Sequence, residues 1–296
     1  MTVTGRIMKA TGGFYYVQVK EAQTLECRAR GRFRKDGITP YVGDWATVEV
    51  NPDGSGTVVE IAGRKNSLIR PPVANLDYMV LVLSVKDPAP NLLVTDKLLS
   101  VLEHKSVDVM IAVSKVDRGN AGKIQTHYSA AGYPVFLIDN HTGTGVEQLV
   151  GAMGESLCAF AGNTGVGKSS LLNAIDPRLS APVGDTSRKL GRGRHTTRHT
   201  QIFCLPSGAM VADTPGFSSV DLLQMSELTA RELEGCFREF ARFRTQCRFD
   251  DCLHLQESGC AVRAAAEAGE IPMTRYSNYT RIYDEIKDTK EWERKK

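Results

Sequence analysis

The sequence predicts a multidomain α/β protein in three parts. Residues 1–66 read as a small β-barrel or sandwich, 67–224 as a doubly wound sheet with covering helices, and 225–296 as a small helical unit. Three observations lead there. Turn signals recur about every 8–12 residues near the N-terminus, the spacing of short strands in a barrel or sandwich. From Asn75 onward, apolar strand-like runs alternate with helical stretches, the pattern of a covered parallel sheet. After about Met225 the strand signal stops, and three of the seven cysteines fall within 247–260 beside a histidine.

In the first part, Gly12-Gly13, Asp36-Gly37 and Pro52-Asp53-Gly54 punctuate the β-rich pieces Phe14–Val19, Trp45–Val50 and Thr57–Ile61. In the second, the strands are Tyr78–Val85, Val107–Val113, Pro134–Ile138, Leu157–Ala161 and Ala209–Ala212. Their two faces are both apolar, as strands covered by helices on both sides require. In the third, Thr229-Ala230-Arg231-Glu232 reads as a capping box. Behind it Leu233, Cys236, Phe237 and Phe240 fall on one helical stripe, and Tyr276, Tyr279, Tyr283 and Ile286 on another.

Composition narrows the classes. The 296 residues suit two or three domains, and 42% apolar with 24% charged residues is the balance of an ordered globular chain. Apolar runs such as Tyr78–Val85 are far too short to span a membrane. The N-terminus shows no apolar run, so no secretory signal is expected. A net charge of +3 does not by itself call for a nucleic-acid partner. Seven cysteines, three of them clustered, in a chain without a visible signal suggest a reducing cytosol and a metal, not a disulfide frame. The expected setting is cytoplasmic, with no membrane contact.

The strongest motif is Gly162-Asn163-Thr164-Gly165-Val166-Gly167-Lys168-Ser169, which fits G-x-x-x-x-G-K-[ST]. It follows the strand Leu157–Ala161 and precedes the helical stretch Ser169–Ile175, the context that separates a phosphate loop from a chance match. Glycines let backbone N–H groups curl round a phosphate. Lys168 would reach the β and γ oxygens, and Ser169 would offer its hydroxyl to Mg²⁺.

Beside such a loop, Asp213-Thr214-Pro215-Gly216 suits a second phosphate element. Asp213 would hold Mg²⁺ through water and the Gly216 N–H would sense the γ-phosphate; alone, the four residues are a common turn. Between the two lies a basic, glycine-rich stretch from Arg188 to His199. Its Thr196 or Thr197 would complete the Mg²⁺ shell if it acts as a switch; otherwise it is a solvated basic loop. Phe217 stands where many GTPases carry the Gln that orients water, so hydrolysis must borrow another polar group. His195 is the candidate, with RNA contact as its alternative role.

Ser114-Lys115-Val116-Asp117 follows the strand Val107–Val113. A carboxylate at Asp117 can accept both the N1–H and the exocyclic amine of guanine, a pair that adenine cannot offer. The loop from Asp139 to Gly145 would close over the base, though its composition is also that of an ordinary turn. The order is unusual. The base reader at 114–117 precedes the phosphate loop at 162–169, and the Asp213 motif comes last. A doubly wound sheet tolerates that permutation because its strand ends share one edge. The permutation runs the second switch directly into the C-terminal unit.

Cys247, Cys252, His254 and Cys260 supply three thiolates and one imidazole, a closed tetrahedral set suited to one structural Zn²⁺. Ordinary buried thiols are the alternative. Arg28, Arg30, Arg32 and Arg34 alternate, with Lys35 following. On a strand all four guanidiniums would share one face and could follow a phosphate backbone, with Phe33 turned inward. A solvated charge run is the plainer reading.

Taken together, the permuted order, the stretch Gly162–Ser170, the run Gly191-Arg192-Gly193-Arg194-His195-Thr196-Thr197, the cysteine spacing and Val42-Gly43-Asp44-Trp45 resemble the RsgA (YjeQ) family of small-subunit-dependent GTPases. The resemblance spans nearly the whole chain. It implies an N-terminal OB-fold β-barrel for RNA binding (1–66), a central circularly permuted P-loop GTPase domain (67–224) and a C-terminal helical zinc-binding domain (225–296). It implies zinc on Cys247, Cys252, His254 and Cys260, and Mg²⁺ with GTP. It extends the nucleotide contacts to Ser170. It also implies a late role in maturing the small (30S) ribosomal subunit, on 16S rRNA, with GTP hydrolysis to GDP stimulated by the subunit. The chain is expected to act as a monomer. One residue departs from the family: the base-reading motif usually opens with Asn or Thr, and here opens with Ser114, whose reach is shorter.

Two other functions remain open on the residues alone. One is a P-loop ATPase or kinase without RNA work. The other is an RNA-binding scaffold whose nucleotide site turns over negligibly, which Phe217 and Ser114 keep in play.

Overall fold

A computed structural model describes residues 1–20, 23–35, 37–69, 72–179, 200–213 and 228–288. It divides into two compact units. One holds 1–78, 150–160 and 169–217; the other holds 79–149, 161–168 and 218–296.

The first unit opens with strands β1 (Thr2–Thr11), β2 (Phe14–Lys20) and β3 (Gln23–Ala29), a single-turn helix α1 (Arg32–Lys35), then β4 (Trp45–Val50) and β5 (Gly56–Ile61). β1 pairs with β2, β2 with β3, β3 with β5 in parallel, β5 with β4, and β4 returns to β1. The five strands therefore close on themselves, which removes the open edges of a small sheet. Alternation decides what faces inward: Ile7, Val17, Leu25, Cys27, Ala46, Val48 and Val58 fill the barrel, while Trp45 is half-exposed. Burial pushes the Cys27 thiol up to about 11, so it serves as an inert filler. A short hairpin of β6 (Ser67–Ile69) and β7 (Pro72–Ala74) follows. Asp44, fully buried, takes the guanidinium fork of Arg64, with Nε on Oδ1 and Nη2 on Oδ2, both at 2.7 Å, and Arg64 lies over the Tyr41 ring. That pairing gives the Val42-Gly43-Asp44-Trp45 run a structural role.

The basic row expected on one strand does not form. β3 stops at Ala29, and Arg32–Lys35 coil into α1. The reversal is set by Phe33, whose N–H bonds Arg30 O at 3.1 Å and whose ring is buried. Arg28, Arg30, Arg32 and Arg34 thus sit on three different pieces of backbone. Phe33 is core, as expected.

The second unit carries β8 (Tyr78–Ser84), α2 (Leu92–His104), β9 (Asp108–Ser114), α3 (Gly122–Ala130), β10 (Val135–Leu137) and the start of α4 (Val146–Met153). Its sheet runs β10-β9-β8, with β9 and β10 parallel in the register Ile111↔Val135. β9 is buried from Val109 to Ser114, as a strand covered on both faces must be. α2 starts where the Asn91 carboxamide oxygen accepts the Val94 N–H at 3.2 Å.

The chain then contributes β11 (Leu157–Ala161) to the first unit, passes the phosphate-loop motif, and forms α5 (Lys168–Ile175), β12 (Thr200–Cys204) and β13 (Met210–Asp213). β11 and β13 are parallel, but β12 runs antiparallel between β13 and the end of β1. The strands expected from the sequence pair in parallel where β9 meets β10 and β11 meets β13; β12 was not among them and adds an antiparallel strand. The cause is local: Leu205 N–H bonds Ala209 O at 2.8 Å and Gly208 N–H bonds Leu205 O at 3.0 Å, so the chain turns back on itself.

The C-terminal part of the second unit is helical around an aromatic core. Thr229 and Glu232 close the expected capping box: Glu232 Oε2 accepts from the Thr229 N–H at 2.9 Å and from its hydroxyl at 2.6 Å. Leu233, Cys236, Phe237 and Phe240 are all buried as expected. They do not lie on one α-helix, however. Two 3₁₀ turns, Leu233–Cys236 and Arg238–Phe240, are broken at Phe237, whose backbone is extended. The break lets Phe237 and Phe240 stack at 5.1 Å and both meet Tyr279 edge-on, gaining contact that a single stripe would not provide. Helices Ala261–Glu267 and Met273–Ile286 complete the core.

Within this unit Arg275 is fully buried. Its Nη1 lies 2.8 Å from Asp96 Oδ1 on α2, and its Nε and Nη2 lie 2.6 and 3.0 Å from the two Glu239 oxygens. Asn278 Nδ2 donates to Asp96 Oδ2 at 2.6 Å. Burial opposes the Arg275 charge, yet the two carboxylates hold its proton more firmly than in water. Among the described residues, no helix is long and apolar enough to cross a membrane.

Candidate functional site

The chain leaves β11 at Ala161, runs through 162–167 and enters α5 at Lys168. Three positions favour glycine, Gly165 among them with φ +83°. A Cβ on Gly162 would stand 2.7 Å from Val82 O. Gly167 has φ +92°, and a Cβ there would stand 3.0 Å from Asn140 Nδ2.

Side chains from the base-reading motif and the loop after β10 grip this stretch from one side. Ser114, buried at the end of β9, has its hydroxyl within reach of Val166 O and of Leu83 O at 3.0 Å. Lys115, in the left-handed region at φ +58°, sends Nζ to Gly165 O at 2.7 Å and to Asp87 O. Asn140 Nδ2 donates to Gly167 O at 3.3 Å. Three consecutive carbonyls of the loop are thus held. A trans peptide then turns the N–H groups of Gly167 and Lys168 to the opposite side, the orientation a phosphate requires at a helix N-terminus.

Asp117 sits in the short turn Val116–Arg118, with its side chain 33% exposed and its Oδ2 3.6 Å from Arg118 Nε. Its carboxylate is therefore open to a ligand. Asp139 folds back on its own loop: the His141 N–H and the Thr142 hydroxyl each bond it at 2.8 Å and hold its carboxyl below the usual range. A cavity of about 20 Å³, lined in part by Ser84, Asn91, Thr95, Gly162, Asn163 and Val166, has room for a single water. Asn140 belongs to the 139–145 loop that the sequence places over the base; its contact with Gly167 O, and that of Lys115 with Asp87 O, join parts far apart in the chain, which no local motif states.

Asp213 ends β13. His195, Thr196, Thr197 and Gly216, with the basic stretch from Arg188 to His199, lie outside the described residues.

The second constellation is fully formed. Ligand atoms of Cys247, Cys252, His254 and Cys260 all lie within 4.8 Å of one another. His254 Nδ1 is 3.6 Å from both Cys247 Sγ and Cys260 Sγ. Bonds of about 2.1 Å (N) and 2.3 Å (S) at a tetrahedral angle place such a pair about 3.6 Å apart, so the donor set fits one Zn²⁺. Burial pushes the Cys252 thiol up to about 12, a cost that a divalent cation would reverse. The Tyr276 hydroxyl donates to His254 O at 2.9 Å and the Tyr279 hydroxyl to Leu253 O at 2.6 Å, fastening the ligand loop to the long helix.

A phosphate loop held by a base reader that precedes it in the chain, together with a closed five-stranded barrel and a Cys₃His cluster, defines a circularly permuted P-loop protein. Comparison with known proteins agrees. The family model described as RsgA GTPase matches residues 61–223, and the one described as RsgA N-terminal domain matches residues 4–58. The chain is 40% identical to the small ribosomal subunit biogenesis GTPase RsgA of Caldanaerobacter subterraneus subsp. tengcongensis, over 97% of this chain and 96% of that one. It is 41% identical to the protein of the same name from Streptococcus pneumoniae, with the same coverages of 97% and 96%. Among solved structures it is similar to YjeQ from Thermotoga maritima, with a TM-score of 0.81 and 32% identity over 97% of this chain and 99% of that one. It is also similar to YloQ, described as a circularly permuted GTPase, with a TM-score of 0.80 and 33% identity over 98% and 96% of the two chains.

The chain belongs to the RsgA GTPase family. The fold class expected from the sequence holds: an OB-like N-terminal barrel, a permuted GTPase architecture and a helical part carrying a Cys₃His cluster able to take one zinc.

Proposed function

We propose that the chain is a GTP hydrolase that binds the small (30S) ribosomal subunit and acts late in its maturation, cleaving GTP to GDP and phosphate with stimulation by the subunit. One observation carries the nucleotide reading: Ser114, Lys115 and Asn140 hold three successive carbonyls of the 162–167 loop. The base reader and the phosphate loop thereby form one body despite their reversed order. Family membership supports the ribosomal assignment, since the relatives bear that activity in their names.

In this reading Gly162, Asn163, Thr164, Gly165, Val166 and Gly167 cradle the phosphates, and Lys168 neutralises the β and γ oxygens. Ser169 and Ser170 open α5 beside them. Ser169 and Asp213 hold Mg²⁺, with Thr196 or Thr197 closing its shell, and Gly216 senses the γ-phosphate. Asp117 reads guanine along the stem of Lys115, with Val116 shaping the turn. Zinc on Cys247, Cys252, His254 and Cys260 holds the helical part together. Arg28, Arg30, Arg32, Arg34 and Lys35, in the stretch from the end of β3 through α1, meet 16S rRNA. The domains are 1–66, 67–224 and 225–296, and the protein works as a cytoplasmic monomer.

The deciding experiment is GTP hydrolysis titrated with purified small subunits. Turnover is expected to climb with subunit concentration. A flat titration alongside intact GTP binding would leave an RNA-binding scaffold. Asp117→Asn tests the base. It removes the charged acceptor of two hydrogen bonds and should weaken GTP binding by ~100-fold, about 3 kcal/mol, while ATP binding is unchanged. Equal loss for both nucleotides would sink the guanine assignment. His195→Ala should lower the subunit-stimulated rate by about 100-fold at unchanged GTP affinity, the share of a group that positions water. An unchanged rate removes His195 from the chemistry.

A further inference from the structure

We propose that Glu234 is the positioning carboxylate of the Cys₃His site, fixing His254 with Nδ1 toward the metal and Nε2–H toward itself, and so setting how tightly this chain holds zinc. The proposal rests on the reading of the cluster as a zinc site.

Glu234 Oε2 lies 2.8 Å from His254 Nε2, on the far side of the ring from the two thiols. That length is in the range of a charge-assisted hydrogen bond. The imidazole is buried, so water does not compete for either nitrogen. A ring with its lone pair on Nε2 would set that lone pair against a carboxylate. The arrangement therefore selects the tautomer that presents the Nδ1 lone pair to the three sulfurs. Carboxylate–histidine pairs of this kind fix ring orientation and raise ligand basicity at zinc sites.

The carboxylate is itself held. It sits on the 3₁₀ turn Leu233–Cys236, just after the Thr229–Glu232 capping box. Its other oxygen faces Arg244 Nη1 at 3.9 Å. Its side chain is 30% exposed, so it carries little of the aromatic core. The ring has separate support, from the Phe240 edge at 5.7 Å and from the Tyr276 hydroxyl on the His254 carbonyl. Replacing Glu234 should therefore change metal affinity before it changes the fold. Glu234 stands outside the run from Cys247 to Cys260, which is why spacing of cysteines alone could not single it out.

The test is zinc affinity of the full-length protein by competition with a chromophoric chelator, in wild type, Glu234→Ala and the isosteric Glu234→Gln. Glu234→Ala is expected to bind one zinc with about 10–100-fold lower affinity, and Glu234→Gln to fall at the low end of that range. Far-ultraviolet circular dichroism of the zinc-loaded variants should match wild type. Nitrogen-15 spectra of zinc-loaded wild type should show His254 protonated at Nε2, and Glu234→Ala should shift that resonance, a change that a purely structural role would not produce. Should Glu234→Ala fail to fold, Glu234→Gln carries the comparison alone. Equal affinity in wild type and both variants, or His254 ligating through Nε2, overturns the positioning role. Wild type binding no zinc at all overturns the metal reading first, and this proposal with it.

Discussion

Removing zinc from Cys247, Cys252, His254 and Cys260 is expected to unfold the C-terminal helical region. A structural zinc contributes an apparent ~10–16 kcal/mol in small domains, comparable to the whole stability of a typical protein, about 5–15 kcal/mol. Without the cation, burial pushes the Cys252 thiol up to about 12, and only weak contacts among the thiols and His254 remain to hold the ligand loop. The loss would spread because the ligand loop is also a packing element. Leu253, His254 and Leu255 offer the carbonyls that satisfy the buried hydroxyls of Tyr276 and Tyr279. Those rings in turn pack with Phe237 and Phe240. A strong chelator, or Cys252→Ser, should remove the share of the near-ultraviolet tyrosine signal that comes from Tyr276, Tyr279 and Tyr283 and lower the melting temperature, and re-added zinc should restore the chelated sample. A chelated protein that is free of metal yet keeps its near-ultraviolet spectrum and melting temperature would show that the aromatic core stands alone.

The Cys₃His cluster was legible because candidate metal ligands carry a local spacing and a distinctive donor chemistry. The same holds for β4, β11 and the Thr229–Glu232 box, whose limits or contacts follow from alternation, continuous burial and a short-range hydrogen-bond pattern. The phosphate loop was legible for a related reason: its glycines answer to close approach, as Gly162 against Val82 O shows. What escaped depends on long-range pairing. β12 has no pattern that states its direction; a turn at Leu205–Ala209 decides it. The arginine row looked like a strand because alternation is a strand signal, yet Phe33 gained more by burial in the core. Ser114, expected to have a shorter reach than Asn, meets Val166 O because β9 brings it directly under that carbonyl. Glu234 and Asp96 take their meaning from partners far away in the chain, and no local periodicity encodes such a partner.

The costliest of these long-range contacts to break is the one around Arg275. Replacing Arg275 with Met is expected to destabilise the protein by about 3–5 kcal/mol, the usual cost of leaving buried charge without its partner. Asp96 is fully buried and Glu239 nearly so, and neither can rehydrate without opening the seam between α2 and the Met273–Ile286 helix. The destabilisation is therefore a property of the stranded carboxylates and not of the lost guanidinium. A triple variant, Arg275→Met with Asp96→Asn and Glu239→Gln, should recover more than half of it, because the Asn at 96 still accepts from Asn278 and no charge remains buried. Urea melts of the single and triple variants decide the matter. A single variant within ~0.5 kcal/mol of wild type, the scatter expected of additive sites, would mean that water reaches the seam. The same α2 opens with Asn91 and Thr95, which line the small cavity beside Gly162, Asn163 and Val166. A helix whose Thr95 lines that cavity and whose next residue, Asp96, carries the Arg275 network is tied to both. Weakening the triad should then loosen GTP binding as well as the fold, and the triple variant should restore the two together.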